Sequence, residues 1–282
     1  MSTLDGVDVA DLLSAGIFDG PALSGAVDRA DAEDVAAVCA LASHPDPRVR
    51  AATARELPLM LGGEPPAPAA VDAVTGLTRD PDPDVRDWAC FALGVQWREV
   101  DTPEVRQALA ERLHDEHTDT RCEALVGLAH RQDARALPAV REALSRADGG
   151  LRWLELEAAG ALSDPSLHEL VLRHLDGWDD VDRLRVEAVR RLTDPAGTGD
   201  DVVEGVAELY RRRAHGRGVE DVEDVLPAWH QMSAVLDVNP RLAPRLLAEV
   251  AAVLDGDALA LEQLRSRSAL AQQAAEVDDG RQ

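Results

Sequence analysis

Two histidines three residues apart, His114 and His117, enclose Asp115 and Glu116, and Asp119 and Cys122 follow closely. Imidazole, carboxylate and thiolate at such spacing ligate metals when a second cluster completes the shell. No second cluster follows at a recognisable spacing; His168-Glu169 is an isolated pair. A polar turn whose acids cap the next helix accounts for the segment. Leu61-Gly62-Gly63 and Gly197-Thr198-Gly199 lack the lysine or the strand of a phosphate loop. No nucleophile elbow is present. Arg211-Arg212-Arg213, with His215 and Arg217, reads as a solvated helix end, and Trp229-His230 as a core pair within a helix. No catalytic residue, metal or cofactor is expected, and the chain is read as a non-enzyme.

Charge points toward binding. The 282 residues carry 53 acidic and 29 basic side chains, all of the latter arginine, for a net charge of −24. Such a field repels nucleic acid and anionic membranes and favours a basic protein partner. Solubility alone is the competing explanation. Cys39, Cys90 and Cys122 form no C-x-x-C pair and read as small buried hydrophobes in a reducing compartment. The first residues hold no basic region or apolar run, and no stretch approaches 18 apolar residues. A cytoplasmic location follows as the expectation.

The elements that must position any site announce themselves by repetition. Asp80-Pro-Asp-Pro-Asp-Val-Arg-Asp-Trp-Ala-Cys-Phe-Ala-Leu-Gly94 reads as a turn followed by a helix. Its frame returns at Pro45-Asp-Pro-Arg-Val-Arg50 with Thr53 and Leu57, at Thr120-Arg121 with Ala124 and Leu128, and at Leu184-Arg185 with Ala188 and Leu192. A weaker copy holds Leu154-Glu155, Ala158 and Leu162. The key positions 50, 86, 121, 155 and 185 lie 36, 35, 34 and 30 residues apart, a period that means stacked helix pairs. Proline stops one helix, and aspartate caps the next at its positive end.

The expected organisation is a helical cap over residues 1–30, five repeats over 31–193, divergent helical repeats over 194–276 and a disordered tail over 277–282. The composition changes at Asp194-Pro-Ala-Gly-Thr-Gly-Asp-Asp201.

The Asp-Pro-x-Val-Arg-x-x-Ala-x-x-x-Leu-Gly phrase of residues 82–94 resembles HEAT repeats, especially the bacterial lyase-like class with its armadillo-type superhelix. The resemblance implies an all-α fold, a right-handed α-solenoid of stacked antiparallel helix pairs, and a protein-binding scaffold. It also implies that Arg50, Arg86, Arg121 and Arg185 bond an acid or carbonyl at the neighbouring turn, against acids such as Asp46, Asp82 and Asp119. HEAT-type di-iron hydroxylases carry several His-Glu pairs, which this chain lacks. HEAT-like DNA glycosylases need a basic groove, the opposite of this charge.

In such repeats the second helix of each pair lines the concave side. Two places after the key position stand Ala52, Trp88, Glu123, Glu157 and Glu187. The three glutamates should form an acidic column, with Asp87 beside it and Trp88 and Phe91 as aromatic anchors. A solvated helix face is the simpler alternative. The function expected is a monomeric scaffold or adaptor that binds a basic protein, with an inhibitor or immunity-type protein as a variant of that reading. The alternative is an enzyme, or enzyme partner, acting on a small molecule or tetrapyrrole.

Overall fold

The computed structural model describes residues 8–60, 65–146, 150–179, 182–197, 199–216 and 223–266. The tail expected over 277–282, Arg217 and the two glycine loop centres at 61–63 and 198 lie outside the described residues. Regular structure among the described residues is helical throughout. They form two compact units, one up to Ala136 and one from Leu137.

The first unit contains α1 (Val9–Ser14), α2 (Pro21–Val27), α3 (Ala32–Ala40), α4 (Pro47–Glu56), α5 (Pro68–Leu77), α6 (Pro83–Phe91), α7 (Pro103–Glu111) and α8 (Thr118–His130). Helices α4, α6 and α8 pack in succession, α3 lies on α5 and α5 on α7, and α1 closes the near end against α3 and α4. The starts of the helices follow from their sequence. Asp46 and Asp82 accept the amides of Arg48 and Asp84 at 2.9 and 3.0 Å, and Thr102 accepts that of Val105 at 3.2 Å. A proline follows each cap, at 47, 83 and 103, where its missing N–H costs nothing.

The core is built from small and branched residues: Val49, Ala52, Val85, Ala89, Cys90, Ala124, Leu125 and Leu128 are all buried. Thr53, in the slot where other copies carry alanine, is fully buried because its hydroxyl donates to the Val49 carbonyl at 2.9 Å. Cys90 and Cys122 are buried free thiols, and burial pushes the Cys90 pKa up. Cys39 departs from the expectation: it lies on the outer part of α3 and is only half-buried.

Where α6 meets α8 the backbones nearly touch. After Phe91 the helix widens into a π-helical turn over Ala92–Gln96, which packs on α8. A Cβ at Gly94 would lie 2.4 Å from the Glu123 carbonyl oxygen, and one at Gly127 would lie 2.6 Å from the Gly94 Cα. Only hydrogen fits at either position. Beside this crossing Arg131, 1% exposed, donates to four backbone carbonyls: Leu93 at 2.7 Å, Gly127 at 2.8 Å, and Trp97 and Val100 at 2.9 Å. It thereby satisfies the carbonyls left free where the α6 segment ends. Burial lowers its pKa to about 10, which still leaves it charged at neutral pH.

The second unit contains α9 (Ala136–Leu144, from its second residue), α10 (Trp153–Leu162), α11 (His168–Val171), α12 (Arg183–Thr193), α13 (Asp200–Ala214), α14 (Leu226–Val238) and α15 (Ala243–Val253). A further helix, α16, spans residues 258–266. Helices α10, α12 and α14 pack in succession, and α13 contacts both α14 and α15.

The composition change at 194–201 is therefore no break in packing. Asn239, at the end of α14, donates to the Ala161 carbonyl at 3.1 Å and the Ser163 hydroxyl at 2.9 Å, tying α14 to the end of α10. Gly160 lets Val238 approach: a Cβ there would lie 2.5 Å from the Val238 Cγ1. Residues 165–174 form a 3-10 turn, the four-residue α11 and another 3-10 turn, and the His174 carbonyl accepts the Trp178 indole N–H at 2.7 Å.

Substituting Gly127→Ala is expected to destabilise the first unit by about 1–3 kcal/mol through overpacking against Gly94. Denaturant titration of the variant beside Gly76→Ala checks it, because a Cβ at Gly76 meets nothing within 4 Å.

Candidate functional site

The arginines of the repeat phrase build the frame under any site. Arg50 donates bidentately to Asp80 at 2.7 and 2.8 Å and to the His44 carbonyl at 2.7 Å. Arg86 repeats the arrangement on Asp115, at 2.8 Å for both bonds, and on the Asp80 carbonyl at 3.1 Å. Each guanidinium thus closes its own turn through a carbonyl and holds the next turn through a carboxylate. Arg121 bonds the Asp115 and Glu116 carbonyls, at 2.6 and 3.0 Å, and the Thr118 hydroxyl.

The receiving acids are Asp80 and Asp115, not Asp46, Asp82 or Asp119. Asp46 and Asp82 are already committed as helix caps, Asp46 also pairing with Arg48 at 2.7 Å, and Asp119 stands in the first turn of α8. Arg185 breaks the pattern: it is exposed and lies over the Trp153 ring, 5.7 Å from the centroid. Glu155, which replaces the repeat arginine, is buried and instead accepts a guanidinium, that of Arg146, along with the Arg152 amide at 2.9 Å.

On this frame α6 presents Asp87, Trp88 and Phe91 side by side, all half-buried. Trp88 and Phe91 meet edge to face with centroids 5.8 Å apart. The Arg55 guanidinium of α4 lies over the Trp88 ring, 5.5 Å from its centroid. Asp87 Oδ1 accepts from the Thr120 hydroxyl at 3.4 Å and lies 3.6 Å from His117 Nδ1. Burial raises the pKa of Asp87, as do Asp119 and Asp84, while His117 and the Thr120 hydroxyl oppose the shift. Glu123, half-buried, follows on α8.

The glutamates expected as a column divide between the units, Glu123 in the first and Glu157 and Glu187 in the second. Glu157 is half-buried on α10. Glu187 is engaged within its own helix, accepting Arg190 at 2.7 Å twice and Arg191 at 2.9 Å, and the Arg190 hydrogen bonds lower its pKa. It serves α12 rather than an open face.

The remaining candidates resolve into local contacts. His114 is exposed, and His117 Nδ1 lies 3.0 Å from the Thr120 hydroxyl. Among the described residues no three His, Cys, Asp or Glu side chains are grouped to hold a metal ion. His168 faces the Thr193 hydroxyl at 3.3 Å, and His215 pairs with Asp257 at 3.1 Å. Trp229 meets Tyr210 edge to face at 6.4 Å, but His230 is exposed and is not part of a core pair. Among the described residues no helix is long and apolar enough to cross a membrane.

Two features escaped the sequence pattern. Arg131 has no motif, since its partners are carbonyls brought in by the close crossing. The edge-to-face pair of Trp153 and Trp178, at 5.8 Å, joins residues far apart in the repeat frame; two tryptophans in an aromatic-poor chain were the available signal.

The staple acids give a pH dependence with a definite sign. Burial alone would raise Asp80 and Asp115, but the Arg50 and Arg86 hydrogen bonds, backbone amides and nearby cations outweigh it and hold both pKa values below normal. A depressed folded-state pKa adds stability above the unfolded value of about 4 that is lost as pH falls through the folded one. Urea midpoints measured from pH 7 to pH 3 are expected to fall below about pH 4. Arg86→Ala, which leaves Asp115 buried without its bidentate partner, is expected to cost about 1–3 kcal/mol at pH 7 and to flatten that fall.

Comparison with known proteins agrees with this architecture. Residues 35–121 match the family model for HEAT repeats. Protein YibA of Escherichia coli K12 is 32% identical over 112 residues, covering 40% of this chain and 39% of YibA, and YibA of strain O157:H7 matches equally. The chain thus aligns with about two-fifths of the length of these curated relatives. The X-ray structure of E. coli YibA superposes with a TM-score of 0.52 at 22% identity over 66% of each chain, a likeness of fold. The repeat phrase, its arginine staples and the family match together show HEAT repeats over residues 35–121, in a chain whose described residues are all-α.

Proposed function

We propose that this chain is a non-enzymatic scaffold that binds a basic partner protein through the face carrying Asp87, Trp88, Phe91 and Glu123. The observation that carries the reading is the half-buried Trp88–Phe91 pair beside Asp87 on the stapled helix α6. Only 3% of the residues are aromatic, so two adjacent half-buried rings are a large share of the anchoring surface available. The net charge of −24 supports the sign of the partner and its rapid encounter with this surface. An inhibitor or immunity-type role, neutralising a basic protein by charge complementarity, fits the same features.

The HEAT architecture supports binding over chemistry because its surface is a set of parallel helix faces. The half-buried Asp87 favours an incoming cation: its charged form has already lost part of its water, so a positive group beside it is rewarded.

Affinity capture at low salt, with wild-type, Trp88→Ala/Phe91→Ala and Glu123→Arg baits, tests the reading. A basic protein captured by wild type and then reconstituted from purified components should bind the double variant at least about tenfold more weakly, since buried aromatic anchors contribute 2 kcal/mol or more. The charge-reversed bait should lose it in a salt-dependent manner. Equal binding by all three baits would place the binding surface elsewhere.

A further inference from the structure

The Trp88 face already holds a guanidinium, that of Arg55, and the surroundings of that group form a complete receptor for one. The ring supplies a π face, 5.5 Å from centroid to Cζ. Glu56 supplies a carboxylate, 2.6 Å from Arg55 Nε, and the Phe18 carbonyl accepts from the same guanidinium. Glu56 is 6% exposed, and among the described residues Arg55 is its one cationic partner. A carboxylate so buried is costly without a cation, so the folded unit favours an occupied receptor.

Arg55 itself is within reach of solvent, its side chain 29% exposed against 8% for Glu56. The receptor is therefore fixed and buried while its occupant is long, flexible and open on one side. Phe18, whose carbonyl completes the receptor, is itself covered by Arg48, 5.9 Å from ring centroid to Cζ.

Resting on the reading that a basic protein binds this face, we propose that its anchoring residue is an arginine, which takes over the Trp88 ring and the Glu56 carboxylate from Arg55. Arg55 is then a built-in competitor that sets the affinity. A planar guanidinium can stack on the ring and bond the carboxylate in one pose, whereas an ammonium offers a compact charge without that fit. Charge alone favours any basic partner; this receptor selects among them. Exchange also keeps Glu56 paired in both states, so binding need not strand a buried charge.

The test uses the full chain with fluorescently labelled hexa-arginine and hexa-lysine as probes, titrated at low salt and followed by anisotropy. Wild type is expected to bind hexa-arginine more tightly than hexa-lysine. Arg55→Ala should strengthen hexa-arginine binding about threefold to tenfold, the range of a partly desolvated cation–π contact, and change hexa-lysine binding less than about twofold. Adding Glu56→Gln to Arg55→Ala should abolish the gain, and Trp88→Ala should erase the preference for arginine. Arg55→Lys keeps a cation on Glu56 and serves if Arg55→Ala fails to fold; it should move in the same direction by a smaller factor. If wild type binds both peptides while neither Arg55 variant binds hexa-arginine more tightly, the exchange is wrong and the acidic-face reading stands. If no form binds either peptide, the basic-partner reading falls and takes the exchange with it.

Discussion

The bidentate arginine–aspartate staple between successive turns is the interaction on which the first unit depends. A helix pair of this length cannot bury its apolar face alone and relies on its neighbour. The staple fixes the register of that reliance. Arg50 and Arg86 each join two turns, and the Asp80 turn receives one guanidinium on its carboxylate while offering its carbonyl to the next. The two staples therefore share a turn and are expected to be energetically coupled. Their near burial makes them costly to break from one side, because the acid left behind keeps its desolvation penalty.

The interior follows from the poverty of large side chains. With alanine and valine as the main core residues, helices must approach closely for their surfaces to meet. Gly94 and Gly127 carry this to the limit, and the π-helical turn of α6 is packed against that crossing. Close approach brings backbone carbonyls inward, where they need donors. Arg131 supplies four hydrogen bonds from one side chain. It needs no adjacent carboxylate because the converging carbonyl dipoles stabilise its charge, as they do at the negative end of a helix.

The same frame explains why the residues proposed to bind a partner lie on α6. Residues pointing into the stack are fixed by packing, and the turn residues by the staples. What remains is the partly open face of α6, where Asp87, Trp88 and Phe91 are half-buried. Glu187 shows how such a position can be absorbed: Arg190 and Arg191 at i+3 and i+4 draw it into its own helix.

The arginine staple was expected from the resemblance to HEAT repeats, while the sequence by itself determined the helical class, the period and most helix starts. Each of these rests on short-range physics: proline and aspartate act within a turn, and apolar spacing of three and four residues acts within a helix. Tertiary structure alone decided which acids receive the arginines, since an aspartate can cap its own helix or answer a neighbour's guanidinium, and only the packing shows which is spent. It decided the roles of Arg131, Glu187 and Asn239, and the division at Ala136. It also put Arg55 over Trp88, 33 residues away in the chain, because that contact exists only once α4 and α6 are packed side by side.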